Sequence, residues 1–349
     1  MEAVLVGDLH LDKCTNIFGE KANELVMNEM SKVMEYALDN GIKQVIQLGD
    51  VGHKSRLSYS AQLALWGFLD KWKDSGIQVD FILGNHDHDE LGVHSLEVLE
   101  KYAPRIYPFF RVHSRTPRKP VLVEGVECFF LSWPHVTAPA KRPAITFGHF
   151  EVRGSTADNG REITDGHDVD PDIFVFCGHL HTPHSVGRVH YVGTLYPTTF
   201  GESGKKSFTV LKARYNDSKI QVKTHRVEHE SDIQLRNLVI NRARDLEELI
   251  DRDGDPYRDD PLWKYRLVLK EGVEIPDDFL LTHENIIKVS GYKSKVDLES
   301  VLTEDWTIES SDGVQISPDD AMRELLTDKY KLTPARVKKA MKMLGRQQP

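Results

Sequence analysis

The sequence predicts a mixed fold of the α/β (α+β) class, on three observations. Short apolar runs alternate with helix-period segments over the first 200 of its 349 residues. Hydrophobic residues make up 40% of the chain and charged residues 28%, at a mean hydropathy of -0.43, which describes a globular chain of two or three domains. No apolar stretch approaches the ~18 residues of a membrane span, so a membrane partner is not expected.

The elements follow in order. Strands are expected at Ala3–Val6, Gln44–Leu48, Val79–Leu83, Val121–Val123, Cys128–Leu131, Ala144–Phe147, Ile173–Phe176 and Val189–Val192, each a short run rich in β-branched or aromatic residues. Helices are expected at Glu20–Asn40, Ser58–Ser75 and His94–Tyr102. In the second of these, Leu65, Trp66, Leu69 and Trp72 recur at three- and four-residue spacing, a stripe read as core. Gly41 and Gly76 follow two of the helices, where a C-cap glycine belongs. The pair Phe208–Lys212 and Ile220–Thr224 flanks a turn at Asn216 and Asp217 and closes a first domain over 1–228. A second domain, 229–312, contains an acidic stretch over 245–260 and holds strand-like Tyr265–Leu269 and Ile286–Val289. A third segment, 313–349, reads as two short helices broken at Thr333–Pro334, ending in a basic run from Arg336 to Arg346.

Charge and cysteine usage exclude further classes. A net charge of -9 is not that of a basic nucleic-acid coat, although it leaves room for a local basic surface or an anionic site neutralised by metal. Cys14, Cys128 and Cys177 are odd in number and widely separated, which argues against a disulfide framework and a thiolate zinc site. With no basic and apolar leader ahead of Ala3–Val6, they fit a cytoplasmic protein.

The chemistry is concentrated at the ends of five apolar runs. Gly7-Asp8-Leu9-His10, Gly49-Asp50-Val51-Gly52-His53, Gly84-Asn85-His86-Asp87, Gly148-His149 and Gly178-His179-Leu180-His181 each place a glycine and then metal-binding residue types after a predicted strand. Ligands at the carboxyl ends of neighbouring strands converge on one edge of a sheet. In extended chain, residues i and i+2 point the same way, so Asp8 with His10, and His179 with His181, are each expected to reach one centre. Oxygen and imidazole without thiolate suit Mn²⁺, Fe²⁺ or Zn²⁺. Seven candidates (Asp8, His10, Asp50, Asn85, His149, His179 and His181) exceed the needs of one tetrahedral ion. With one bridging carboxylate they would furnish two ions, a pair suited to phosphoryl displacement. The remaining histidines outside the motifs read as surface or hydrogen-bonded residues.

In these five motifs the chain resembles the calcineurin-like metallophosphoesterase superfamily and, more narrowly, the SbcD-type nuclease subunits of recombination and repair complexes, bacteriophage versions included. The Asp50-x-x-His53 form continuing as Lys54-Ser55-Arg56, the Gly-Asn-His-Asp motif, and Tyr191-Val192-Gly193-Thr194 followed by Phe200-Gly201-Glu202 carry the narrower likeness over residues 1–225. Gly52 departs from the larger apolar residue common there.

The resemblance implies a four-layer metallophosphoesterase β-sandwich flanked by helices, with a small α/β capping domain and a C-terminal helical ATPase-docking tail. It implies one Mn²⁺ held by Asp8, His10, Asp50 and His181 and a second by Asp50, Asn85, His149 and His179, with Asp50 bridging. His86 would stabilise the transition state and protonate the leaving oxygen, and His53 would position the scissile phosphate. The implied activity is that of a DNA exonuclease and single-strand endonuclease. The implied partners are DNA and an SbcC-like SMC/ABC-type ATPase, with the chain a homodimer within a heterotetramer. Arg111, Arg115, Arg118 and Lys119, with Lys141 and Arg142, form either a phosphate-contacting track or a solvated loop. Two other classes share the ligand set: a phosphatase or phosphodiesterase acting on nucleotides or phosphoproteins, and a non-catalytic interaction scaffold that has kept the fold.

Overall fold

A computed structural model describes residues 1–115, 119–134, 144–202, 204–216, 219–251, 254–270, 273, 275–276 and 279–290. The chain divides into two compact units, Met1–Leu235 and Arg236–Pro349. The expected tail 313–349 lies outside the described residues.

In chain order, the first unit runs β1 (Glu2–Val6), α1 (Thr15–Phe18), α2 (Ala22–Asp39), β2 (Gln44–Leu48), α3 (Tyr59–Trp72), β3 (Gln78–Ile82), α4 (Glu97–Tyr102) and β4 (Phe110–His113). It continues through β5 (Val121–Val123), β6 (Val126–Leu131), β7 (Ile145–Gly148), β8 (Phe174–Cys177), β9 (His184–Val186) and β10 (Val189–Tyr191) to the long hairpin β11 (Lys206–Asn216) and β12 (Lys219–His229). One six-stranded sheet has the order β12-β11-β1-β2-β3-β4, the other β5-β6-β7-β8-β10-β9. The strands β1 to β4 are mutually parallel, as are β6, β7, β8 and β10.

Strand alternation builds the layers. On β1, Ala3 and Leu5 face the second sheet while Val4 and Val6 face the helices; on β6, Cys128 and Phe130 face inward while Phe129 and Leu131 face out. The core between the sheets joins Ala3, Leu5, Ile46, Leu48 and Ile82 to Phe130, Ile145, Phe147 and Phe176. The central strands β1, β6, β7 and β8 are buried on both faces, so they read as near-continuous apolar runs. Against the outer face of the first sheet lie α2 and α3, with Met27, Met30 and Met34 beside Leu65, Leu69 and Trp72. The stripe read as core on α3 is core: Leu65, Leu69 and Trp72 are buried and Trp66 packs against them. Ser58 caps α3, its hydroxyl accepting from the Ala61 N–H at 3.1 Å. The outer face of the second sheet is covered, among the described residues, by the irregular segment carrying Phe150, Val152 and Ile163. The result is the expected α/β sandwich.

The first unit carries the chain beyond β12. Ile233 and Leu235 lie in the same core as the helices, and His229 Nε2 sits 2.6 Å from Glu29 Oε2. The sheet that follows consists of β13 (Gln234–Ile240), β14 (Trp263–Leu269) and β15 (Ile286–Ser290), around Leu238, Ile240, Tyr265, Leu267 and Ile286, with the short α5 (Phe279–Thr282) contributing Phe279. Among the described residues no helix is long and apolar enough to cross a membrane.

Candidate metal centre

The parallel strands of both sheets release their motifs at one edge of the sandwich. Asp8 lies two residues beyond β1, Asp50 two beyond β2, Asn85 three beyond β3, His149 directly after β7 and His179 two beyond β8. Two glycines show why the motifs need them. A Cβ on Gly84 would stand 2.0 Å from Asp50 Oδ1, and one on Gly178 would stand 2.2 Å from the Leu48 carbonyl oxygen and 2.7 Å from Asp8 Oδ1. The backbone therefore passes directly against the carboxylates, which only glycine permits. Gly52 is likewise enclosed: a Cβ there would meet Leu57 and the Lys54 carbonyl at 2.8 Å, so this chain has no room for a larger residue.

Two ligand sets result. Asp8, His10 and His181 form one and Asp50, His149 and His179 the other, with donor atoms within 4.8 Å inside each. His10 Nε2 stands 3.1 Å from His181 Nε2 and 3.7 Å from both Asp8 Oδ2 and Asp50 Oδ2. Asp50 Oδ1 stands 3.3 Å from His149 Nε2. Asn85 Oδ1 is 3.1 Å from His149 Nε2 and 3.0 Å from His179 Nδ1. Asp50 thus turns one oxygen towards each set. His10, His53 and His86 form a third close group, with the His53 and His86 rings stacked at 5.2 Å and the His86 Nδ1 facing the His53 carbonyl oxygen at 3.1 Å.

The expected pairing of His179 with His181 on one centre is not what the fold builds. His179 has φ +79°, so the segment is not extended and its side chains part: His179 turns to Asn85 and His149, His181 to His10 and Asp8. His10 (φ +47°) and Asp50 (φ +52°) share this left-handed backbone, which costs a non-glycine residue about 1–3 kcal/mol and concentrates at functional sites.

The electrostatics are those of a site built for positive charge. Burial alone would raise the Asp8 and Asp50 carboxyls. His149 leads the neighbours that overcome it and pull both below the ordinary carboxylate range. Burial alone would lower His149 and His181. His149 is nevertheless pushed up to about 9 by Asp50 and Asp8, and His181 to about 10 by the neighbouring Asp8 and Glu202 carboxylates. His10 goes the other way, down to about 3, because burial outweighs its two carboxylates. Asp8 Oδ2 and His10 Nδ1 are buried with no hydrogen-bond partner. An unpartnered carboxylate oxygen amid imidazole nitrogens fits a divalent cation of intermediate hardness.

Several supporting roles around the sets are not legible in the sequence. Asp87 is buried and accepts from the N–H groups of Val51, Gly52 and Gly84 and from the Ser95 hydroxyl, tying the second motif to the third. Its carboxyl is pushed up to about 6, first by burial and then by Asp50. His149 Nδ1 donates to the Leu48 carbonyl at 2.7 Å, leaving Nε2 for the site. His179 Nε2 faces Glu151 Oε1 at 3.2 Å and His181 Nδ1 faces Glu202 Oε1 at 2.9 Å. Glu151 and Glu202 sit in no ligand motif, and only the folded chain brings them to the histidines.

Arg111, 44% exposed, is held by Asp80 through Nε at 2.8 Å and a terminal nitrogen at 3.1 Å. Arg115 and Lys119 are exposed, and Arg118, Lys141 and Arg142 lie outside the described residues. Because β4 runs parallel to β3, Arg115 leaves the sheet at the same edge as the ligand motifs.

The sequence model of the calcineurin-like phosphoesterases matches residues 1–183, which contain all five motifs. No curated protein matches the chain.

Proposed function

Because the chain belongs to the calcineurin-like phosphoesterase family, and so hydrolyses phosphoesters at a divalent-metal site, we propose that it is a Mn²⁺-dependent DNA nuclease, the catalytic subunit of an SbcCD-like repair and recombination complex. The observation that carries the binuclear part is Asp50, with Oδ2 3.7 Å from His10 and Oδ1 3.3 Å from His149. Asp8, His10, Asp50 and His181 would hold one cation and Asp50, Asn85, His149 and His179 the other. When bound, such a pair supplies Lewis acidity to water and to the phosphoryl oxygens.

The chain's own residues do the rest. His86 donates Nδ1–H to the His53 carbonyl, which fixes its ring; in the imidazolium form, with a hydrogen on each nitrogen, Nε2 would give its proton to the departing sugar oxygen while Nδ1–H stays on the carbonyl. His53 is held below its ordinary value, by burial first and then by Lys13 and His86, so at neutral pH it is an uncharged hydrogen-bonding group for the scissile phosphate. Arg115 and Lys119 offer exposed positive charge for the flanking phosphates.

Support for a nucleic-acid substrate lies in the Asp50-x-x-His53-Lys54-Ser55-Arg56 sequence and in the chain that continues past the phosphoesterase unit. The ATPase would dock on residues 313–349. Exposed Leu63, Val98, Tyr102 and Ile106 on and beside α3 and α4 suit a homodimer contact. The test is turnover of plasmid, single-stranded DNA and small phosphoesters by the purified chain in Mn²⁺. Cleavage of DNA that is lost in His86→Asn, with bound metal retained, is the expected result. Hydrolysis of nucleotides or phosphopeptides without DNA cleavage would replace the nuclease with a phosphatase.

A further inference from the structure

We infer that Glu202 is a positioning residue for His181: its largely buried carboxylate fixes the ring by Nδ1 so that Nε2 is presented to Asp8 and His10, and the stretch 193–202 with Lys206, beyond the matched residues 1–183, thereby completes the first cation set. The inference rests on the assignment of Asp8, His10, Asp50 and His181 to a cation.

Three independent ties bind this segment to the site. The Tyr196 hydroxyl donates to the Leu9 carbonyl at 2.5 Å, between Asp8 and His10 in sequence. The Gly193 carbonyl packs so closely on Gly7 that a Cβ there would lie 1.9 Å from its oxygen. Glu202 itself, 9% exposed, takes the His181 Nδ1–H on Oε1 at 2.9 Å.

Glu202 is fixed in its turn. The Thr198 hydroxyl donates to Oε1 at 2.5 Å and the Thr198 N–H to Oε2 at 3.2 Å. Lys206 Nζ pairs with Oε2 at 2.5 Å and also donates to the Thr194 hydroxyl at 2.9 Å. Lys13 Nζ donates to Thr198 Oγ1 at 2.8 Å, so the same network reaches back to the first motif. A buried carboxylate held from two sides and offered to one imidazole nitrogen sets the tautomer and the direction of that ring. The other three histidine ligands have weaker supports: no hydrogen-bond partner on Nδ1 of His10, a backbone carbonyl behind His149, and Glu151, whose side chain is 47% exposed, behind His179.

The experiment is Mn²⁺ titration of the full chain by calorimetry and by the electron paramagnetic resonance of free Mn²⁺, for the wild type, Glu202→Ala, Glu202→Gln and Lys206→Met. The wild type should take up two ions. Glu202→Ala should weaken one of them about 10- to 100-fold and leave the other near the wild-type value. Glu202→Gln keeps an acceptor for Nδ1–H and should recover most of the loss. Lys206→Met loosens Glu202 without removing the partner of His181 and should weaken the same ion, by less than Glu202→Ala does. Should Glu202→Ala not fold, the long-range ¹H–¹⁵N spectrum of the wild type loaded with diamagnetic Zn²⁺ decides: the His181 proton should reside on Nδ1. A proton on Nε2, wild-type affinity in Glu202→Ala, no recovery in Glu202→Gln, or a loss in Lys206→Met equal to that in Glu202→Ala each overturns the inference. A wild type that binds no Mn²⁺ overturns the cation assignment itself, a separate and earlier failure.

Discussion

The Nε2 atoms of His10 and His181 face one another at 3.1 Å although 171 positions separate them in the chain. Two imidazole nitrogens cannot approach this closely with a hydrogen on each, so the gap takes one proton or one cation. Chelation with EDTA should abolish phosphoester hydrolysis, and Mn²⁺ should restore it. His181→Asn should hold one fewer Mn²⁺ per chain, counted by elemental analysis after gel filtration.

Gly84 and Asp50 are coupled by contact. A methyl group on Gly84 would occupy space 2.0 Å from Asp50 Oδ1 and 2.4 Å from its backbone nitrogen. Gly84→Ala should displace a carboxylate that faces both ligand sets, lowering turnover by about 10²-fold or more and loosening both ions. Mn²⁺ titration with an initial-rate assay checks this, and circular dichroism should show the fold intact.

Asp87 touches no substrate group, yet it organises two ligand loops. Asp87→Ala leaves the buried N–H groups of Val51, Gly52 and Gly84 without their acceptor and should cost about 3–5 kcal/mol of stability. Urea unfolding in the presence of EDTA, where cation binding cannot compensate, measures that loss.

Asp80 gives a pH prediction away from the metal centre. It is buried, which would raise its carboxyl, but His113 and Arg111 outweigh burial and hold it below the ordinary 3.8. A carboxyl lowered on folding contributes stability that is fully present above its unfolded value and disappears as pH falls through its folded one. Asp80→Asn should therefore cost about 2–4 kcal/mol at pH 7, and the gap to wild type should close below about pH 3.8. Urea titrations at pH 7, 5, 4 and 3 read the difference directly.

Much of this arrangement was written in local sequence. Continuous apolar runs in Ala3–Val6 and Cys128–Leu131 mark strands buried on both faces, and glycine-then-ligand after each strand marks the edge where the side chains meet. Other parts were not local. The strand β4 is four residues with Arg111 and His113 in it, and its pairing with β3 rather than its composition makes it a strand. The hairpin β11–β12 runs eleven residues a side because ladder bonds continue where exposed polar residues show no apolar period. His179 and His181 diverge because of a backbone angle that no residue type there announces. Glu202, Glu151 and Asp87 are ordinary acids until tertiary structure supplies their partners.

The ligand motifs issue from two different sheets, Asp8, Asp50 and Asn85 from one and His149, His179 and His181 from the other. Cations seated among them rivet the layers of the sandwich together. Such a rivet adds about 2.7 kcal/mol when free ion stands at a hundred times its dissociation constant, and nothing when the ion is gone. Resistance of the sandwich to heat and to proteases would then track the surrounding supply of divalent ion.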